Sequence, residues 1–467
     1  MPDTDLNFAS IEHLAALVRD KQISPLELMD HTLARINELN PTLNALVQLD
    51  AETARSEAQA QTERLAAGQD LGPLGGIPAG IKDLENAKGF ITTQGSPLYA
   101  NNPPATFDDV HIERLKAAGA IVVGKTNTPE FGLVPFTDNE VFGVTRNPWN
   151  LERTPGGSSG GSSAAIASGM LALATASDGG GSIRIPACYT GLFGHKPSFG
   201  RVPIAPRRHD AWMDTSVFGP LTRTVADAAL LMDVISGPDD RDRNTLPAED
   251  RSYRQRLQDP LPPLRIAFNR TLGVTRLQTD VEREVETAVA VFRELGHDVE
   301  ENTDAIPETG RFWNDVASWN NVATSWDDYT SRHDEYGELA VQMLDHGLGL
   351  DAERMGKFLD LRQQITNWTA RLFANYDLLL TPTLPTEAFA AQGPVPRTLY
   401  GEKFVPIALT YPFNFSGHPA ANVRAGMTDA GLPCGLQIVG PRFRDDRVLQ
   451  ASLAYEEARP WDTWPRL

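Results

Sequence analysis

SSAAIASGMLALATASDGGGSIRIPAC, residues 162–188, is the stretch whose reading decides the fold. Its small-residue opening suits a closely packed helix, and the LALATAS that follows reads as a strand. Three glycines then lead into Ser182, after which an apolar, strand-like run resumes. Glycine is entropically costly in regular structure, so three together point to a backbone path or a close approach that a side chain would block. A flexible surface linker is the plain alternative.

Outward from this stretch the chain keeps alternating. GAIVVGKTN (119–127), LRIAFN (264–269) and YDLLLTPT (376–383) read as strands between helical segments, which argues for an α/β architecture with helices covering a sheet. At the start, Ser10 can cap IEHLAALVRD, and SPLE at 24–27 has the form of a capping box with Pro25 at the first helical position. These predict helices ending near Asp20 and Leu39, and an Ala/Glu/Gln-rich stretch predicts a third over 51–68. Residues 238–262 are charged and Pro-rich and read as a surface excursion. Trp313, Trp319, Trp326, Tyr329 and Tyr336 lie in a helical region; they suit core or interface packing, with a bulky substrate pocket as the alternative.

Composition narrows the function. The 467 residues include 42 Lys and Arg against 61 Asp and Glu, a formal charge of -19. Such a balance disfavours nucleic acid and anionic membrane as partners and fits a small uncharged substrate. Cys188 and Cys434 lie far apart without metal-ligand spacing and are expected to be buried, reduced thiols. The acidic start MPDTDLNFAS lacks a basic segment before an apolar one, and no apolar run reaches membrane-spanning length, so a soluble, cytoplasmic protein is expected. No metal cluster or phosphate-binding glycine loop stands out, and no cofactor is expected.

A serine hydroxyl needs a neighbouring base to act as a nucleophile at neutral pH. Gly156-Gly157-Ser158-Ser159-Gly160 matches the G-x-S-x-G elbow of esterases, but turn formers rather than a strand precede it. None of the nine histidines stands out; His195, nearest to Ser182 in sequence, suits a local hydrogen-bonding role. A Ser-Lys arrangement therefore gains weight. Lys82, among the small and apolar residues of GGIPAGIKDLENAKG, can be buried, which disfavours the ammonium form. Lys125 in VVGKTN and Lys196 in GHKPS are rivals that spacing and composition do not rank.

PGGSSGGSSAAIASGMLALATASDGGGSIRIPA (155–187) resembles the signature of the amidase signature family, whose members use a Ser-cisSer-Lys triad. GGIPAGIKD resembles the family's lysine motif and GKTNTPEFG its next strand and turn. LLLTPTLP and YPFNFSGHPAANVRAGMTDAGLPCGLQIVG resemble its C-terminal segments, while 238–375 carries no recognised motif. The resemblance implies an α/β fold with a central mixed β-sheet covered by helices. It implies one amidase domain over 1–467: a helical collar (1–68), a signature core (69–237), a variable region expected to hold the substrate pocket (238–375) and a C-terminal part rejoining the core (376–467).

Position by position, it makes Ser182 the acylated nucleophile, Ser158 the bridging serine after a cis peptide, and Lys82 the base. The backbone N–H groups of Gly179, Gly180, Gly181 and Ser182 become the oxyanion hole, and Ser159, Asp178 and Arg184 support the loop. The implied function is hydrolysis of a carboxylic amide to acid plus ammonia or amine, with a homodimer allowed by the same analogy. Where relatives often carry Thr or Ile, this chain has Gly179, which resembles broad-range and cyclic-amide-hydrolysing members more than tRNA-dependent amidotransferase subunits. The alternatives are a glutaminase subunit passing ammonia to a partner, an elbow-type esterase using Ser158, and a non-catalytic homologue.

Overall fold

Short polar signals set the first helices. In the computed structural model, which describes residues 5–206, 212–308, 310–461 and 463–467, Ser10 accepts the His13 N–H at 3.1 Å and starts the helix Ile11–Arg19. Ser24 and Glu27 cap each other reciprocally, and Pro25 opens the helix Pro25–Leu43. This second helix runs past the expected Leu39. Asn40 Oδ1 accepts the N–H groups of Ala45 and Leu46 at 2.9 and 2.8 Å, so the helix end is tied to the strand that follows. A third helix spans Ala51–Ala66.

Eleven strands form one mixed sheet. In chain order they are β1 (Leu46–Leu49), β2 (Pro78–Lys82), β3 (Ile121–Thr126), β4 (Leu173–Ala174), β5 (Phe193–Lys196), β6 (Leu221–Thr222), β7 (Arg265–Phe268), β8 (Asp298–Glu301), β9 (Leu378–Pro382), β10 (Ala420–Met427) and β11 (Pro433–Val439). Their spatial order is β1-β3-β2-β4-β6-β5-β10-β11-β9-β7-β8. β2 runs parallel to both β3 and β4, β7 parallel to β9 and β8, and the remaining pairs are antiparallel. The central strands are buried along their whole length, which is why they read as continuous apolar runs.

The deciding stretch departs from its reading in two places. LALATAS splits: Leu173–Ala174 joins the main sheet, and Ser177–Asp178 pairs with Val217–Phe218 in a separate ribbon. The run after Ser182 is the helix Arg184–Thr190, ended by Gly191 in the left-handed conformation (φ 71°). Every residue of that helix is buried, and a short apolar run buried on all sides has no periodicity to separate helix from strand.

Residues 238–262 are mostly exposed, with one short helix at Tyr253–Leu257. Helices Gly310–Thr324, Trp326–Ser331, Glu338–Leu348 and Ala352–Phe373 follow. Trp313, Tyr329 and Tyr336 are buried in the aromatic core that also holds Phe131, Tyr411 and Phe413, whereas Trp326 is 53% exposed. Cys188 and Cys434 are free, buried thiols. No helix among the described residues is long and apolar enough to cross a membrane.

The helix Gly160–Ala167 is buried at every position and presses directly on backbone. A Cβ on Gly161 would lie 2.2 Å from the Asn127 N and 2.6 Å from the Ala45 O. Gly161→Ala is therefore expected to destabilise the protein by roughly 1–3 kcal/mol through overpacking, read as a lowered denaturation midpoint; an unchanged midpoint would refute this contact.

Candidate active site

Strand β2 ends on Lys82, which is fully buried. Its Nζ lies 2.8 Å from Ser158 Oγ, 2.8 Å from Ser159 Oγ and 3.0 Å from Ser177 Oγ. Thr175 Oγ1 accepts the Lys82 backbone N–H at 2.9 Å and holds the strand end in place. Ser158 follows a cis Gly157–Ser158 peptide and stands ahead of the Gly160–Ala167 helix with no strand before it, unlike an esterase elbow. Gly132, at φ +71°, passes over it, and a Cβ there would sit 3.1 Å from Ser158 Oγ.

The rival lysines have other partners. Lys125 is buried against Asp83 (3.3 Å) and donates to the Glu85 carbonyl and Thr92 Oγ1. Lys196 donates to the Pro197 carbonyl, and burial with the nearby Arg184 pushes its amine down to about 7. His195 Nε2 lies 3.2 Å from Asp445 Oδ1, and none of the described histidines is hydrogen-bonded to Ser158 or Ser182.

Ser182 ends the glycine loop, is 8% exposed, and makes no side-chain hydrogen bond among the described residues. Behind it, four consecutive peptide carbonyls are turned away and held. Asn414 Nδ2 donates to Asp178 O at 2.9 Å, Trp313 Nε1 to Gly179 O at 3.2 Å, Thr410 Oγ1 to Gly180 O at 2.7 Å, and the Ile185 N–H to Gly181 O at 2.6 Å. A trans peptide points its N–H opposite its carbonyl. The N–H groups of Gly179, Gly180 and Ser182 have no partner among the described residues, whereas that of Gly181 donates to Asp178 Oδ1 at 2.7 Å. Of the four N–H groups expected to act together, that of Gly181 is therefore taken by the Asp178 carboxylate, and those of Gly179, Gly180 and Ser182 stay open among the described residues.

The three glycines are also sterically required. A Cβ would meet the Trp212 ring at 2.7 Å from Gly179, Trp313 Nε1 at 2.3 Å from Gly180, and Thr410 Oγ1 at 2.5 Å from Gly181, whose φ is +133°.

Against known proteins, the family model Amidase matches residues 27–449. An acylamidase of Rhodococcus erythropolis is 35% identical over 474 residues, covering 99% of this chain and 98% of that one. The A-type subunit of the glutamyl-tRNA(Gln) amidotransferase of Methylobacillus flagellatus is also 35% identical, covering 97% and 98% of the two chains. Among solved structures, a bacterial aryl acylamidase of the amidase signature family superposes with a TM-score of 0.92 at 32% identity over 98% of each chain. The chain belongs to the amidase signature family. A further solved structure, 6-aminohexanoate cyclic dimer hydrolase, superposes at 0.87 with 30% identity over 99% of each chain.

In this amidase the glycine loop before Ser182 is anchored by an ion pair with no solvent access. Arg184 Nε and Nη2 each lie 2.9 Å from the Asp178 carboxylate, and both side chains are fully buried. Arg184 also donates to the Thr410 carbonyl, Gln437 Oε1 and Asn414 Oδ1 at 2.7–2.8 Å. Burial alone would raise the Asp178 carboxyl; the Arg184 guanidinium outweighs it and, with the Lys196 charge and Asn414, holds it at about 2. Sequence reasoning located Asp178 and Arg184 and named Trp313 only as a core or pocket aromatic, and it missed Ser177, Thr410, Asn414 and Gln437. Ser177 stands one residue before Asp178 inside the quoted stretch, where its residue type was the available signal; the others lie too far along the chain for spacing to reveal them.

Because the folded Asp178 value lies below its unfolded value of about 3.9, its contribution is full above that pH and is lost as pH falls through about 2. Asp178→Asn leaves Arg184 a buried, uncompensated charge and is expected to cost roughly 3–5 kcal/mol at pH 7. Denaturant titrations should show the gap to wild type narrowing as pH falls toward 2; equal stabilities at pH 7 would contradict the clamp.

Proposed function

We propose that this amidase hydrolyses linear carboxylic amides through an acyl-enzyme on Ser182, with Ser158 relaying the proton and Lys82 as the base. The observation carrying this reading is the 2.8 Å separation of Lys82 Nζ and Ser158 Oγ in a buried site. A neutral lysine amine has two N–H groups and one lone pair. Ser159 donates its hydroxyl to the Ser177 carbonyl at 3.3 Å, so its oxygen meets Lys82 as an acceptor, and Ser177 Oγ offers a second. In this scheme the lone pair of the neutral Lys82 amine takes the Ser158 proton.

In this scheme Ser182 Oγ bonds to the amide carbon while its proton passes to Ser158 and that of Ser158 to Lys82. The oxyanion is taken up by the Gly179, Gly180 and Ser182 N–H groups; donors of this kind lower the barrier by about 3–4 kcal/mol each. Reversal of the relay protonates the departing amine as the C–N bond breaks, and water then releases the acid by the same route. Trp212 and Trp313 meet at the glycine loop, set edge-on at 5.7 Å, with Tyr411 stacked behind Trp313 at 6.5 Å. This aromatic wall, and the likeness to an aryl acylamidase, favour amides with an aromatic or bulky apolar group.

The test is intact mass after treatment with a fluorophosphonate, with peptide mapping, on wild type and Lys82→Ala. One adduct at Ser182 that largely vanishes in the folded variant is expected, with turnover reduced about 10²- to 10⁴-fold. An adduct at Ser158 surviving the lysine change would overturn the relay. In an ammonia-release screen of amides, activity confined to glutamine and dependent on a partner would move the chain to the reading as an amidotransferase component.

A further inference from the structure

Of the four carbonyl clamps on the glycine loop, Ile185 and Asn414 lie in segments that resemble the family, and Thr410 immediately precedes the second of these. Trp313 is the exception: it stands on the helix Gly310–Thr324, within the stretch 238–375 that carries no family motif. Its indole N–H donates to the Gly179 carbonyl at 3.2 Å, and its ring covers the face of Gly180 so closely that a Cβ there would lie 2.3 Å from Nε1. The Gly179–Gly180 peptide is trans, so holding its oxygen toward the indole aims the Gly180 N–H to the opposite side. The next peptide supports this geometry. Thr410 holds the Gly180 oxygen, and the opposing Gly181 N–H lands on Asp178 Oδ1 at 2.7 Å.

We infer that Trp313 is a positioning residue for catalysis: its indole N–H fixes the Gly179–Gly180 peptide so that the Gly180 N–H is presented to the oxyanion. The inference rests on the proposed role of Ser182 and its oxyanion hole. It makes transition-state stabilisation depend on a helical segment outside the family motifs, because the side chain in contact with Trp212 is also the one that orients the donor. A glycine peptide without side chains has low barriers to reorientation, so an external clamp is needed to keep the donor aimed.

The test is Trp313→Phe, assayed on an anilide substrate and on a trifluoromethyl ketone of the same acyl group, which binds as a tetrahedral oxyanion adduct. With the thermal midpoint confirming the fold, kcat is expected to fall about ten- to a hundredfold with KM within twofold, and ketone affinity to fall by a similar factor. Unchanged kcat and ketone affinity, or a raised KM with kcat preserved, would overturn the inference and leave Trp313 a wall of the pocket. If Trp313→Phe does not fold, benzothienylalanine at position 313 keeps the two-ring shape while sulfur replaces the N–H, and the same readouts decide. Fluorophosphonate mapping of wild type separates the two levels: no adduct at Ser182 sinks the nucleophile assignment, whereas a labelled Ser182 with unaltered kinetics in the variant sinks only the role of Trp313.

Discussion

The buried Asp178–Arg184 pair is the constraint on which the rest of the site depends. Taking both charges out of water costs several kcal/mol per ion, and the cost is offset only where geometry is good and the remaining polar positions are satisfied. Here the guanidinium reaches the carboxylate through two nitrogens and also reaches Thr410, Asn414 and Gln437. The carboxylate in turn accepts the Gly181 and Ile183 N–H groups. One ion pair thereby joins the end of a short ribbon, the start of a helix, the small helix Pro412–Phe415 and strand β11. The glycine loop has little freedom left: its carbonyls are taken, and among the described residues only the N–H groups of Gly179, Gly180 and Ser182 remain open.

Around Lys82 the same economy is achieved with hydroxyls. Ser158, Ser159 and Ser177 each place a hydroxyl oxygen within 3.0 Å of Lys82 Nζ, so hydroxyls rather than backbone carbonyls meet the end of this buried side chain. Close approach makes this possible. The Gly160–Ala167 helix carries only small side chains apart from Ile166 and is buried throughout, so Ser159 at its start can reach the end of β2.

Much of this is legible in the chain. Ser10 and the Ser24–Glu27 box start their helices through contacts three residues apart, and the strands around Val123, Ala267 and Leu380 announce themselves as short apolar runs. Local hydrogen bonds and burial of whole strands act over a few residues, which is the range a sequence pattern can carry. The run after Ser182 reads as a strand and folds as a helix because burial on every side erases the period that distinguishes the two.

By itself the sequence determined the residue types that chemistry demands: a lysine among small residues, two serines in glycine-rich contexts, and glycines where no side chain is tolerated. It also determined the mixed α/β alternation that brings such segments to one sheet. Spacing and composition left three lysines unranked and only the resemblance singled out Lys82; the tertiary structure places Lys82 against the serines and alone decided that Ser177 joins them and that Gly181 serves Asp178 rather than the open side of the loop. The physical reason is separation along the chain. Lys82 meets Ser158 across 76 positions and Arg184 meets Asn414 across 230, distances over which no local propensity acts and only the packing of the completed sheet and its helices sets which polar groups face each other.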